Sequence, residues 1–261
     1  MKSVILKSLL VFMCLAFFIL SFNLLAQDVV IYNDKSPAWI DPAQMVPAAQ
    51  KALDAMNIKN DVVNADDLVT YMNANQTGIV IIATGIAPGE IFKNQGDKDL
   101  VHKWLFDGGV MLWTGDWPFY YWDAPANCPG SAGETSVFGV IVTAGVASTK
   151  MKPTDLGKKL IPSIKEHTSQ RPIMLGVLDS NKFNYESYAD DGATYADPIA
   201  LQAPKMKGWF VNIHTWPEGE TLDQVGKDMA EVIKNRFLVA PKAVDKMSKL
   251  TTMWGAIKHL Q

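Results

Sequence analysis

The stretch Leu105-Phe106-Asp107-Gly108-Gly109-Val110-Met111-Leu112-Trp113-Thr114-Gly115 decides the architecture of this 261-residue chain. Upstream of it, Gly96-Asp97 opens a helix in which Leu100, Val101, Trp104 and Leu105 share a face, and Gly108-Gly109 ends that helix in the left-handed manner. Val110 to Trp113 then contains no polar residue, so it reads as a strand buried on both faces, the usual state of a parallel strand. The same unit recurs towards the N-terminus. Val29 to Tyr32 and Ile79 to Ala83 are fully apolar runs, and Asp61-Val62-Val63 is a shorter one. Between them, Asp41 with Pro42 and Gln44 starts a helix carrying Val46, Ala49, Leu53 and Met56 on one face, and a second helix lies around Leu68 to Met72. This alternation predicts an α/β fold, a mostly parallel sheet with helices on both faces.

Beyond Thr114 the pattern loosens through residues rich in Pro, Gly and aromatics. Later strands are expected at Val140 to Thr143, Ile173 to Leu178, Ile199 to Gln202 and Trp209 to Ile213. Thr221 with Gln224 caps a helix bearing Leu222, Val225, Met229, Val232, Ile233 and Phe237. The acidic run Glu186 to Asp197 lacks the alternating ligands of a calcium loop and reads as a turn between strands.

Lys2 and Lys7 precede an apolar stretch, Leu9 to Phe22, and Leu24-Leu25-Ala26 follows, so residues 1–26 read as an export signal cleaved after Ala26. The domain then spans 27–238, and 239–261 forms a basic amphipathic arm with Leu250, Met253, Trp254 and Ile257 at helical spacing. An exported location, periplasmic or extracellular, follows. Membrane contact would come only from an uncleaved signal or from the arm, and the arm also leaves an oligomer possible. The formal charge is −3, and losing Lys2 and Lys7 makes the remainder more acidic, which disfavours nucleic acid as a partner. Without the signal a single cysteine remains, Cys128, so disulfides do not hold this fold together.

In an open α/β sheet, ligands bind at the carboxyl ends of the strands. That rule selects Asn33 to Trp39, Thr84 to Gly89, Thr114 to Asp123 and His214 to Glu220. From Trp113 to Trp122, six of ten residues are aromatic, and rings next to carboxylates suit a sugar, stacked on its C–H face with Asp accepting from hydroxyls. The same rings could instead fill a gap between loop and sheet, or bury at a subunit contact. Candidate ligand-binding residues are Asn33, Trp39, Thr84, Gly85, Thr114, Gly115, Trp117, Tyr120 and Trp216. His102, His167, His214 and His259 are scattered, without a His-x-x-x-His or paired-cysteine motif, so no metal is expected. No phosphate-binding glycine loop is present and no cofactor is expected.

With its βαβαβ start, the segment Gly108 to Gly115 and a late strand followed by a histidine and a glutamate, the chain resembles the class I glutamine amidotransferase-like superfamily, and within it the trehalose-utilisation-like group. The resemblance implies a flavodoxin-like sheet. It also implies a Gly-x-Cys-x-Gly elbow and a late His-Pro-Glu, the thiol standing at a sharp turn where backbone N–H groups hold an oxyanion. Here the elbow reads Thr114-Gly115-Asp116-Trp117-Pro118, without cysteine, and the late motif reads His214-Thr215-Trp216-Pro217-Glu218 with altered spacing. Glutaminase activity is therefore not expected. Cys128, a dozen residues past the elbow, reads more readily as a small buried group than as a substitute nucleophile.

Three functions stay open. The first is a non-catalytic binding or scaffold module for a small molecule or carbohydrate. The second is a hydrolase or isomerase on a sugar derivative, with Asp116, His214 and Glu218 as catalytic residues; this requires Asp116 and His214 within hydrogen-bond reach. The third is an assembly protein that uses the aromatic loop and the arm.

Overall fold

A computed structural model describes residues 29–33, 40–124, 126–145, 147–214, 217–218 and 220–239. The proposed signal and nearly all of the arm lie outside them. The first half runs β1 (Val29–Tyr32), α1 (Pro42–Ala55), β2 (Asn60–Val63), α2 (Ala65–Ala74), β3 (Ile79–Ile82), α3 (Leu100–Asp107) and β4 (Val110–Trp113). The second half runs α4 (Ala132–Phe138), β5 (Thr149–Pro153), α5 (Asp155–Leu160), β6 (His167–Ser169), β7 (Ile173–Met174), α6 (Leu175–Ser180) and β8 (Asn184–Ser187). It continues with β9 (Ala189–Asp190), β10 (Tyr195–Ala196), β11 (Ile199–Gln202), β12 (Trp209–Asn212), β13 (Pro217–Glu218) and α7 (Leu222–Val232), which ends in a π-helical turn, Ile233–Phe237.

Seven strands form the main sheet in the order β2-β1-β3-β4-β12-β11-β8. The five from β2 to β12 are parallel, and β11 is antiparallel to both of its neighbours. The expected mostly parallel sheet is thus observed. Alternate residues of each strand enter opposite layers, as the pleat requires. Ile31, Ile81, Leu112 and Val211 pack with Met45, Leu53, Val225 and Met229 of α1 and α7. Val30, Val80, Met111 and Phe210 pack on the other side with Leu68, Met72, Trp104, Leu105 and Phe138. Asp41 caps α1 by accepting from the Ala43 N–H at 2.9 Å, and Thr221 caps α7 by accepting from Gln224 at 3.2 Å.

A second sheet, antiparallel throughout, runs β13-β6-β5-β9-β10-β7. Its buried Met151 and Ala189, with Tyr188 beside it, join the layer that holds α1 and α7. The sequence pattern did not disclose this sheet. Two expected strands also differ. Val140 to Thr143 is a loop, because the N–H groups of Val142 and Thr143 donate to the buried Glu134 carboxylate at 2.8 and 3.0 Å rather than to a strand. The run from Ile173 splits into the two-residue β7 and helix α6. The run Glu186 to Asp197, expected as a turn, instead holds the end of β8 and the whole of β9 and β10; the turn is confined to residues 191–194, where Asp191 Oδ1 accepts from the N–H groups of Ala193, Thr194 and Tyr195.

Candidate functional site

Because β1, β3, β4 and β12 are parallel neighbours in one sheet, their carboxyl ends share a rim. The corners after β4 and β12 meet there: Ile213 N–H donates to Trp113 O at 2.8 Å, and Thr114 Oγ1 donates to His214 O at 3.2 Å. Their environments differ.

The β4 corner is packed shut. Thr84, Gly85, Thr114, Gly115 and Asp116 are all buried. Gly85 and Gly115 have φ of +74° and +112°, and the two turns pack backbone against backbone: a Cβ on Gly115 would stand 2.8 Å from Gly85 N, and one on Gly85 2.7 Å from Asp116 N. These candidate ligand residues therefore contact one another. Asp116 accepts from Arg171 Nε at 3.0 Å, and its carbonyl accepts from Trp113 Nε1 at 2.8 Å. Arg171 also stacks over the Trp117 ring at 5.6 Å.

Beyond this corner the aromatic run divides. Trp113 and Phe119 are fully buried, whereas Trp117, Tyr120, Tyr121 and Trp122 are half-buried. The Trp117 and Tyr120 ring centroids are 5.2 Å apart, and those of Tyr120 and Tyr121 4.8 Å. Glu134, near Trp117, is fully buried, and burial pushes its carboxyl up to about 7 against hydrogen bonds from Thr143 and Val142. Trp117 Nε1 is near enough to favour the Glu134 charge but is not aligned as a hydrogen bond. Cys128 is exposed, contrary to its reading as a buried group.

At the β12 corner, by contrast, buried ionisable groups converge. His214 is fully buried at φ +48°, in the left-handed region uncommon for a side chain other than Gly. Its Nε2 is 2.8 Å from Asp228 Oδ2 on α7. Asp228 Oδ1 accepts from Ser163 Oγ at 2.6 Å and from Gln224 Nε2 at 2.8 Å. Nδ1 of His214 lies 2.8 Å from Glu220 Oε2, an ion pair that is poorly aligned for a hydrogen bond. Burial works against a charged ring here, but Asp228 and Glu220 outweigh it and raise the His214 pKa to about 10. The His167 ring meets His214 edge-on, 4.4 Å between centroids, and its Nδ1 faces Lys165 O at 3.2 Å. His167, His214 and Glu220 each offer a ligand atom within 4.8 Å of the other two, an arrangement that can hold a metal ion.

The expected acid–base pairing of Asp116 with His214 is not among the contacts of either side chain: Asp116 turns to Arg171, while His214 turns to Asp228 and Glu220. Asn33 is exposed at the end of β1. Trp39 and Trp216 lie outside the described residues, as does the Glu218 side chain; the Glu218 backbone pairs with Thr168 of β6. That pairing draws the β12–α7 connection alongside His167. His167, Glu220 and Asp228 were missed from sequence because no short spacing links them. A cavity of about 260 Å³ is lined by Ala48, Lys51, Ala52, Ala55, Met56, Asp223 and Lys227, none of them on the rim. Among the described residues no helix is long and apolar enough to cross a membrane.

No protein-family model matches the chain. It is 21% identical over 250 residues to an uncharacterized protein of Methanocaldococcus jannaschii, covering 88% of this chain and 78% of that one. Among solved structures it is similar to a cold-adapted β-galactosidase from Rahnella sp. R3, with TM-score 0.46 and 17% identity over 84% of this chain; the chain spans 32% of that enzyme's length. A protein described as a GMP synthase subunit from Thermoplasma acidophilum is similar at TM-score 0.38 and 10% identity, over 80% of this chain and 94% of that one. The glutaminase domain of Trypanosoma brucei CTP synthase with bound acivicin is similar at TM-score 0.40 and 9% identity, over 84% and 98% respectively.

Proposed function

We propose that this chain is an exported binding domain of the class I glutamine amidotransferase-like type, allied to its trehalose-utilisation-like group, that has given up glutamine hydrolysis and takes a carbohydrate. The observation that carries the reading is the shelf of half-buried rings, Trp117, Tyr120 and Tyr121, beside the β4 corner. A sugar ring presents C–H faces to such rings and hydroxyls to neighbouring polar groups, here Arg171 and the exposed Asp123. The place where relatives would carry a thiol holds Asp116, already bound to Arg171, which supports the loss of the nucleophile. Export rests on Lys2, Lys7 and the apolar run Leu9 to Phe22. The hydrolase or isomerase reading has less support, since Asp116 and His214 face different partners.

The test is a glycan array followed by titration calorimetry on the purified protein, repeated with Trp117→Ala and Tyr120→Ala. Binding by the wild type that falls at least about tenfold in each variant, the equivalent of losing about 1.4 kcal/mol of stacking, is the expected result. Flat responses across the array, or variants that bind as the wild type does, would remove the carbohydrate. Release of ammonia from glutamine would overturn the loss of glutaminase chemistry.

A further inference from the structure

Buried polar atoms without a partner are the most informative feature outside the aromatic shelf. Six such side-chain atoms occur among the described residues: Asn60 Oδ1, Trp117 Nε1, His167 Nε2, His214 Nδ1 and both carboxylate oxygens of Glu220. Four of the six belong to one cluster. Buried donors and acceptors are normally satisfied; here His214 Nδ1 and Glu220 Oε2 have only their poorly aligned 2.8 Å ion contact, and His167 Nε2 and Glu220 Oε1 have no hydrogen bond, so the four facing atoms need a common explanation.

We propose that His167 Nε2, His214 Nδ1 and the Glu220 carboxylate form a binding site for one divalent transition ion of the zinc class, with a fourth position for water or a ligand. Two imidazole nitrogens and a carboxylate are the donor set such ions favour, and three protein ligands leave a tetrahedral ion one open position. The surroundings point the same way. The far nitrogen of each ring is anchored, His214 Nε2 on Asp228 and His167 Nδ1 on Lys165 O, which directs the opposite lone pairs into the cluster. Asp228 is itself fixed by Ser163 and Gln224, the outer support expected of a carboxylate–histidine–metal arrangement.

The geometry requires little adjustment. Ligands about 2.0–2.2 Å from a tetrahedral ion stand roughly 3.4 Å apart, inside the 4.8 Å that spans the three ligand atoms here. An imidazolium held between Glu220 and Asp228 is the metal-free alternative. It accounts for His214 and its 2.8 Å contact with Glu220 but leaves His167 Nε2 without a hydrogen bond. Binding displaces the proton on Nδ1. The site is independent of the carbohydrate reading, since none of its residues belongs to the aromatic shelf.

The experiment uses the full chain without an affinity tag, stripped with chelator and titrated with Co²⁺ and then Zn²⁺. One Co²⁺ per chain with strong visible absorption, displaced by one Zn²⁺, is expected. His167→Ala and Glu220→Ala should abolish it, His102→Ala should leave it intact, and Asp228→Asn, which acts only through His214, should weaken affinity about 10–100-fold. Equal binding by wild type and His167→Ala, or no binding by the wild type, would overturn the site. Should those variants fail to fold, zinc X-ray absorption on the wild type decides: scattering from two imidazoles supports the assignment, and its absence refutes it.

Discussion

Two corners on the same rim, those after β4 and β12, solve opposite problems. At the β4 corner the polar groups next to the turn are paired, Trp117 Nε1 excepted: Gly85 and Gly115 let two turns touch, Asp116 is neutralised by Arg171, and the indole of Trp113 binds the Asp116 carbonyl. At the β12 corner Asp228 fixes one side of His214, but the facing atoms of His214, His167 and Glu220 make no aligned hydrogen bond. A resemblance carried by the β4 segment thus directs attention to the corner whose carboxylate is already paired. The chemistry still to be explained lies one strand away. Burial makes the difference matter, because in a low-dielectric interior an unmatched polar group is costly enough to imply a purpose.

The strongest way to break the comparison is Asp228→Ala, measured by chemical denaturation in chelator. It leaves His214 with one acidic neighbour and takes one acceptor each from Ser163 and Gln224, which keep Glu231 and Ser163 O respectively, so a loss of about 3–5 kcal/mol is expected. A loss under about 1 kcal/mol would mean that this corner is no more constrained than the surface.

Glu134, near Trp117, offers a pH test. Glu134 titrates near 7 in the folded chain against an ordinary 4.5, so the native state holds this proton more tightly than the unfolded chain. The resulting stabilisation is complete below 4.5 and is lost as pH rises through about 7. At 1.36 kcal/mol per unit that amounts to about 3 kcal/mol. Denaturation from about pH 4 to about pH 8 should show wild type losing roughly that much relative to Glu134→Gln, and parallel curves would refute it.

The smallest effect sharpens the contrast. Gly115→Ala forces a side chain into positive φ and against Gly85 N, at a cost of about 1–3 kcal/mol, read as a lower Tm. Its cobalt spectrum should match that of the wild type. A spectrum altered as much as that of His167→Ala would show that the two corners are one site.

Much of the main sheet is legible from local pattern. Val29 to Tyr32, Ile79 to Ile82 and Val110 to Trp113 are continuous apolar runs that no exposed segment could carry, and Asp41 and Thr221 mark their helices by caps that act within three residues. The second sheet is not legible. Its strands are two to five residues long and mixed in polarity, as in Thr149–Pro153, and their pairing joins distant segments, β5 to β9 and β6 to β13. Of the expected site residues, Thr114 and His214 do meet on one rim, but the partners of His214 had no spacing by which to be found.

Sequence by itself determined the alternation of strands and helices from β1 to β4, the absence of a thiol at the β4 turn and the density of rings after it, since each is a property of contiguous residues. Tertiary structure alone decided which acids face which histidines. His167 and His214 become neighbours only when the connection after β12 adds β13 to β6, and ring contact across that gap depends on long-range pairing rather than on local preference.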